Sequence, residues 1–164
     1  MLYIRKRKTP AYIKQEAEKL KSAEENRYNE ICLPDDAGKL RSIFDRLPKS
    51  VIGEALCREQ HGLCAYCMSQ IRSEGKKNVR IEHYKALSRN KETALDYQNF
   101  LGVCSGGEKE GKGKYHILCC DAARKETELT INPWDKRQMQ AIGYRKNGQI
   151  FVHTNQGLDL HLAE

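Results

Sequence analysis

Between Cys64 and Asp121 the chain gathers residues suited to metal binding and proton transfer. Cys64 and Cys67 stand in "CAYC", the spacing by which one tight turn offers two thiolates to one ion. Such a pair could form a disulfide, a redox switch, a structural metal site or half of a catalytic one. Zinc takes four nitrogen or sulfur ligands in a tetrahedron, so two more are needed. Cys104 and one of Cys119 and Cys120 supply them. The second half is not a CxxC, because a glycine-rich loop separates Cys104 from Cys120. A closed four-cysteine site leaves no open position for substrate, so it would staple distant segments together. The competing expectation is a set of buried free cysteines.

The residues bracketed by these cysteines are of another kind. Glu82 and His83 lie between the two halves, Asn99 follows them, and Asp121 comes directly after Cys120. Hydrolysis of a phosphodiester needs a base for the attacking water, and histidine titrates near neutral pH. It also needs a divalent cation at the phosphate, for which carboxylates are suitable ligands. A third group must orient the histidine, and an asparagine amide can do so. Glu82, His83, Asn99 and Asp121 make up such a set.

The chain that must position them has 164 residues, enough for one domain with a helical extension. Its net charge of +7 suits attraction to phosphate backbones without proving it. No apolar run approaches the ~20 residues of a membrane span. The start, "MLYIRKRKTP", lacks the apolar stretch of a secretory signal. The expectation is a cytoplasmic protein, where metal binding is favoured over disulfides and seven cysteines fit poorly with full pairing.

The expected fold class is α+β, in two parts: a helical region at 1–60 and a core at 61–164. Pro10 opens a helix that runs through strong helix formers, with Tyr12, Ile13, Ala17 and Leu20 as its apolar positions, until Pro34 and "DDAGK" break it. A second helix places Leu40, Ile43, Phe44 and Leu47 on one face. A third is capped by Ser50, turns Val51, Ile52, Ala55 and Leu56 inward and stops at Gly62. "CAYCMSQI" reads as a metal knuckle leading into a strand. "VRIEHYKAL" alternates as a strand, with Val79 and Ile81 on one face and Arg80 and Glu82 on the other. "DYQNFLGVC" reads as a partly buried helix, and "CCDAARKE" as a short helix with Asp121 near its start. "INPWD" is a turn, and "AIGYRKNGQIFVH" is a hairpin about an Asn-Gly turn.

In this order and spacing, "CAYC", "IEHYKAL", "YQNFLGVCSGG", "CCDAARK" and "INPWD" resemble the HNH endonucleases, and more narrowly the PtuB-like HNH nucleases of Septu-type and retron-linked antiphage systems. The resemblance covers nearly the whole chain. It implies a zinc-stapled ββα-metal core carrying an N-terminal helical extension and a C-terminal β-hairpin. His83 takes the place of the general base, and Glu82 that of the acidic metal ligand. Asn99 takes the place of the asparagine that orients the base or supports its loop. Asp121 falls where many relatives have an asparagine or histidine ligand. Cys64, Cys67, Cys104 and Cys120 match the structural zinc ligands, with Cys119 as the alternative to Cys120. Arg124-Lys125 stands where similar chains have Lys-Gly, a change expected at a phosphate contact. The implied activity is hydrolysis of nucleic acid, DNA ahead of RNA, with magnesium or manganese beside the structural zinc. The implied partner is an ABC-type, PtuA-like ATPase, docked on the region at 10–60. A plain helical cap is the equal alternative for that region.

The remaining residues carry blander expectations. Cys32 and Cys57 belong to apolar helical faces. Tyr66 packs over the cysteine site, and Trp134 anchors the core against the helix after Asp121. His61 and His153 are assigned nothing. His116 is a plain loop histidine, with a ligand or a phosphate contact as its alternatives, and the lysines from Lys109 to Lys114 are solvated or grip a phosphate backbone. The chain ends soon after a hairpin, so truncation at Glu164 of a longer subunit is possible. Two other functions compete with catalysis: a zinc-stapled nucleic-acid-binding module and an adaptor that docks an ATPase. Cleavage of tRNA or other RNA is the alternative within catalysis. Cys64→Ser is expected to unfold the site, and His83→Ala to leave it folded, zinc-bound and inactive.

Overall fold

The computed structural model describes residues 3–75, 78–107, 118–146 and 150–153. The architecture is α+β. Helices α1 (Ala11–Ser22), α2 (Ala37–Asp45) and α3 (Lys49–Glu59) come first. Strands β1 (Arg80–His83) and β2 (Phe100–Val103) and helix α4 (Cys120–Arg124) follow, and then α5 (Lys136–Ala141), β3 (Ile142–Tyr144) and β4 (Ile150–Val152).

Helix α1 starts after Pro10 and buries Ile13 and Ala17, while Tyr12 faces solvent. It stops well short of Pro34. The Asn26 side chain donates to the Leu20 carbonyl at 2.6 Å and accepts from Arg46, so a side chain takes up a carbonyl that the next turn would have used. Two 3₁₀ turns replace the expected continuation, Glu24–Asn26 and Tyr28–Glu30, joined by Arg27 at φ 43°. They turn Tyr28 and Ile31 into the core. Cys32 does not follow them. It is exposed at the turn where its N–H meets Asp36, which corrects its expected place on an apolar face.

The apolar stripe of α2 is as expected, with Leu40, Ile43 and Phe44 buried and Leu47 just beyond its end. In α3, Pro48 holds the cap position. Ser50, expected there, lies inside the first turn and meets Glu54. Gly62 does end the helical path. It adopts φ 70°, where only glycine is unstrained, and donates to the Cys57 carbonyl at 2.8 Å.

β1 and β2 pair antiparallel, with Glu82 opposite Leu101 and His83 opposite Phe100. The helical reading of "DYQNFLGVC" is overturned. A single 3₁₀ turn, Tyr97–Asn99, is capped by Asp96, and then all four residues of β2 are buried. A strand covered on both faces shows no alternation, so period alone cannot separate it from buried helix. The strand expected after the CAYC turn reduces to one bridge, Leu63 to Gln70, among the described residues.

The hairpin lies between two apolar clusters. Phe100 joins Ile13, Leu40, Phe44, Leu56 and Leu95 on the helical side. Leu101 and Val103 join Ile4, Cys64, Ala65 and Ile71 on the other. Gln60 fastens α3 to the middle of β2. Its amide donates to the Gly102 carbonyl and accepts the Gly102 N–H, both at 2.7 Å. A Cβ at Gly102 would press on Ile71, Gln60 and Leu56. β3 and β4 form the expected C-terminal hairpin, and its Asn147-Gly148 turn lies outside the described residues.

Candidate active site and four-cysteine centre

The CAYC turn folds back on itself, with the Met68 N–H on the Cys64 carbonyl at 3.0 Å and the Cys104 N–H on the Cys64 sulfur at 3.3 Å. The sulfurs of Cys64, Cys67, Cys104 and Cys120 lie within 4.8 Å of one another. Cys64 and Cys120 are 3.9 Å apart, and Cys67 and Cys104 are 3.8 Å apart. Tetrahedral zinc with ~2.3 Å bonds to sulfur sets such edges at about 3.8 Å. The residues therefore fit structural zinc. Burial pushes the Cys64 and Cys120 thiols up. Burial also acts on Cys67, but hydrogen bonds from Ser69, Cys120 and Cys64 together bring that thiol down to about 7. The choice between neighbouring cysteines falls on Cys120. Cys119 is exposed at the start of α4, and its N–H meets the Gly106 carbonyl at 3.0 Å.

β1 and β2, followed by α4, make a ββα unit, and its open end carries the other candidates. Glu82, His83 and Asp121 line one cavity of about 360 Å³ together with Arg41, Ser88 and Lys125. Glu82 is buried. Burial raises its carboxyl to about 7, and the neighbouring Asp121 charge adds to the rise against the pull of Arg124. Two close carboxylates at an open cavity are a donor set for a hard divalent cation, which commonly needs one or two of them.

His83 is 5% exposed, edge-on to Phe44 at 4.5 Å and Phe100 at 5.1 Å between ring centroids. Its Nε2 lies 2.9 Å from the Ala94 carbonyl. A carbonyl only accepts, so Nε2 carries the proton and Nδ1 keeps its lone pair. Burial lowers the imidazole to about 4, with the charges of Arg41, Lys49 and Arg124 acting in the same direction. The ring is neutral at pH 7.

Asn99 is buried at the end of its 3₁₀ turn and does not touch the imidazole in this arrangement. Its Oδ1 accepts the Lys85 N–H at 2.8 Å, and its Nδ2 donates to the carbonyls of Lys85 and Thr93 at 3.1 and 3.2 Å. It pins both ends of the loop that delivers Ala94. Thr93 directly precedes Ala94, whose carbonyl meets His83 Nε2.

Arg124 was not among the candidates, and it is the strut of the site. Its Nη1 donates to Glu82, to the Tyr66 hydroxyl at 3.0 Å and to the His83 carbonyl at 2.8 Å. Its Nη2 reaches the Tyr84 carbonyl at 2.7 Å and its Nε the Thr127 carbonyl at 2.8 Å. The guanidinium is turned inward and occupied, which corrects the expected phosphate contact at this position. The signal in the sequence was its spacing, one helical turn after Asp121. Tyr66 packs beside the cysteines as expected and adds a link, donating to Glu82 at 3.2 Å. Trp134 joins the same cluster, edge-on to Tyr84. His116 and the lysines from Lys109 to Lys114 lie outside the described residues.

The chain matches no family model. Over 80 residues it is 33% identical to a protein of retron Ec83 from Escherichia coli. That protein is named as a candidate HNH endonuclease. The match spans 44% of this chain and 31% of the retron protein's length. It supports the expected kinship with HNH nucleases, at low identity and over part of each chain. No helix among the described residues is long and apolar enough to cross a membrane.

Proposed function

We propose that this chain is a metal-dependent HNH endonuclease that hydrolyses phosphodiester bonds in nucleic acid. The observation that carries the reading is the ββα unit with Glu82, His83 and Asp121 on one cavity. The similarity to the retron protein supports it. In this reading His83 Nδ1 takes the proton of the attacking water while Nε2–H stays on Ala94. Glu82 and Asp121 hold a magnesium or manganese ion, which supplies charge neutralisation at the phosphate and leaving oxygen. Arg124 and Tyr66 keep Glu82 in place, and Asn99 keeps the His83 carbonyl partner in place. Zinc on Cys64, Cys67, Cys104 and Cys120 would tie the CAYC turn to the end of β2 and the start of α4.

The finer reading places the chain among PtuB-like subunits, as the cytoplasmic effector of a bacterial antiphage system. It cuts DNA in preference to RNA and is held by an ABC-type ATPase docked on the region at 1–60. The core at 61–164 is the nuclease. The test is a cleavage panel of plasmid, single-stranded DNA and tRNA, alone and with such an ATPase. Magnesium or manganese is expected to support cutting, and EDTA to abolish it while the zinc stays bound. Cutting undiminished by EDTA would exclude the mechanism.

One observation favours a second reading, a binding module without catalysis. His83 is nearly enclosed and packed on two phenylalanines, as a structural histidine would be. In that case the protein binds the panel substrates and cuts none of them under any metal.

A further inference from the structure

The cavity at the open end of the ββα unit holds groups that the proposed chemistry leaves unused. Arg41, from α2 in the helical region, lines it, and so does Lys125 at the end of α4. Arg41 also lines the adjoining cavity that shares Asp121, so it stands at the mouth of both. Its guanidinium is exposed and meets Asp45 at 3.6 Å. Exposed pairs of this kind contribute little, so the cation can be redirected at low cost.

Lys125 adds a conformational argument. Its backbone sits at φ 54°, ψ −116°, outside the regions that side-chain-bearing residues favour. Glycine would hold this turn without strain. The chain keeps an exposed lysine there, at the rim of the acidic site. Strain retained at a cavity rim indicates that the side chain has a use.

We infer that Arg41 and Lys125 form a clamp for the phosphate backbone of the substrate, reaching over the cavity that holds Glu82, His83 and Asp121. The inference rests on the nuclease reading and deepens it. A nucleic acid brings anionic phosphates to a cavity whose own carboxylates repel them. Cations on two walls offset that repulsion. Arginine suits the bidentate share of the contact and lysine the point charge. The helical region is then part of the substrate site.

The test compares wild type with Arg41→Ala, Lys125→Gly and a control, Lys39→Ala, which removes the same charge from the exposed side of α2. Affinity for a fluorescent duplex is read by anisotropy across a salt series with calcium in place of magnesium, and cleavage is read separately with magnesium. Arg41→Ala and Lys125→Gly should each weaken binding about 10-fold and lower the salt slope by about one phosphate contact. KM should rise more than kcat falls. Lys125→Gly should melt higher than wild type while binding worse, a combination that a merely structural residue cannot give. Arg41→Lys should recover part of the loss. Binding and KM as in wild type for both variants, or losses matched by Lys39→Ala, would overturn the clamp. Wild type that binds but never cuts would overturn the nuclease reading and leave the clamp to be judged by binding. Wild type that neither binds nor cuts would overturn both.

Discussion

Replacing Cys64 with serine is expected to release the zinc and melt the hairpin together with α4. Cys64 is fully buried in the second apolar cluster, and its sulfur also accepts the Cys104 N–H. The metal would join the CAYC turn, the end of β2 and the start of α4. α4 is five residues long, and β1 and β2 are four each, too short to persist unaided. Structural zinc contributes roughly 10–16 kcal/mol of apparent binding energy in small zinc domains, more than a typical domain's whole stability. Metal analysis should fall from about one zinc per chain to a small fraction. Hydrogen exchange at the β1 and β2 amides should rise to the rate of an open chain. Cys119→Ser, beside the ligand Cys120 but exposed, should retain zinc and melt as wild type does. Full zinc occupancy in Cys64→Ser, or its loss in Cys119→Ser, would contradict the assigned ligand set.

Arg124→Ala is expected to be the most damaging change outside the cysteines. The side chains of Arg124 and Glu82 are 7% and 10% exposed. Removing the guanidinium leaves Glu82 and two backbone carbonyls without this donor, at roughly 1–3 kcal/mol for each buried group left unsatisfied. For a domain of this size that corresponds to a fall in melting temperature on the order of 10 °C. The two carbonyls are those of His83 and Tyr84, so the end of β1 is released. Cleavage should fall even at temperatures where the protein remains folded. Arg124→Lys should recover only part of the stability, since an ammonium cannot serve the forked set of acceptors. Melting within 1–2 °C of wild type would show that the guanidinium does not hold the strand.

Sequence legibility differed between the chemistry and its supports. The clustered cysteines and the Glu82-His83 pair stood out in the sequence because their residue types have few other uses at that spacing. α2 was readable because a 3.6-residue apolar period survives wherever one face stays wet. β2 was not, since burial on both faces removes its alternation. The end of α1 depended on Asn26 reaching a carbonyl six residues back and on Arg46, twenty residues away, completing the contact. Gln60 was passed over, and Arg124 was read at a phosphate contact instead of as a support, for a related reason. Each is a common surface residue, and its role exists only once β2 or β1 lies beside it. His83 shows the reverse. Its identity was plain, but its enclosure by Phe44 and Phe100 was not, and that enclosure bears on how it must be tested. Alanine would leave a void against two aromatic rings, so the expectation that His83→Ala stays folded does not follow from this packing.

His83→Gln avoids that difficulty. A glutamine amide can still donate to the Ala94 carbonyl, but it has no basic nitrogen to take a proton. The decisive measurement is magnesium-dependent cleavage by His83→Gln against wild type, at equal zinc content and equal helical signal. Loss of the general base predicts a rate lower by about 10²–10⁴-fold with substrate affinity little changed. Cutting at the wild-type rate by this folded, zinc-loaded variant would contradict the assignment of His83 and, with it, the proposed nuclease site.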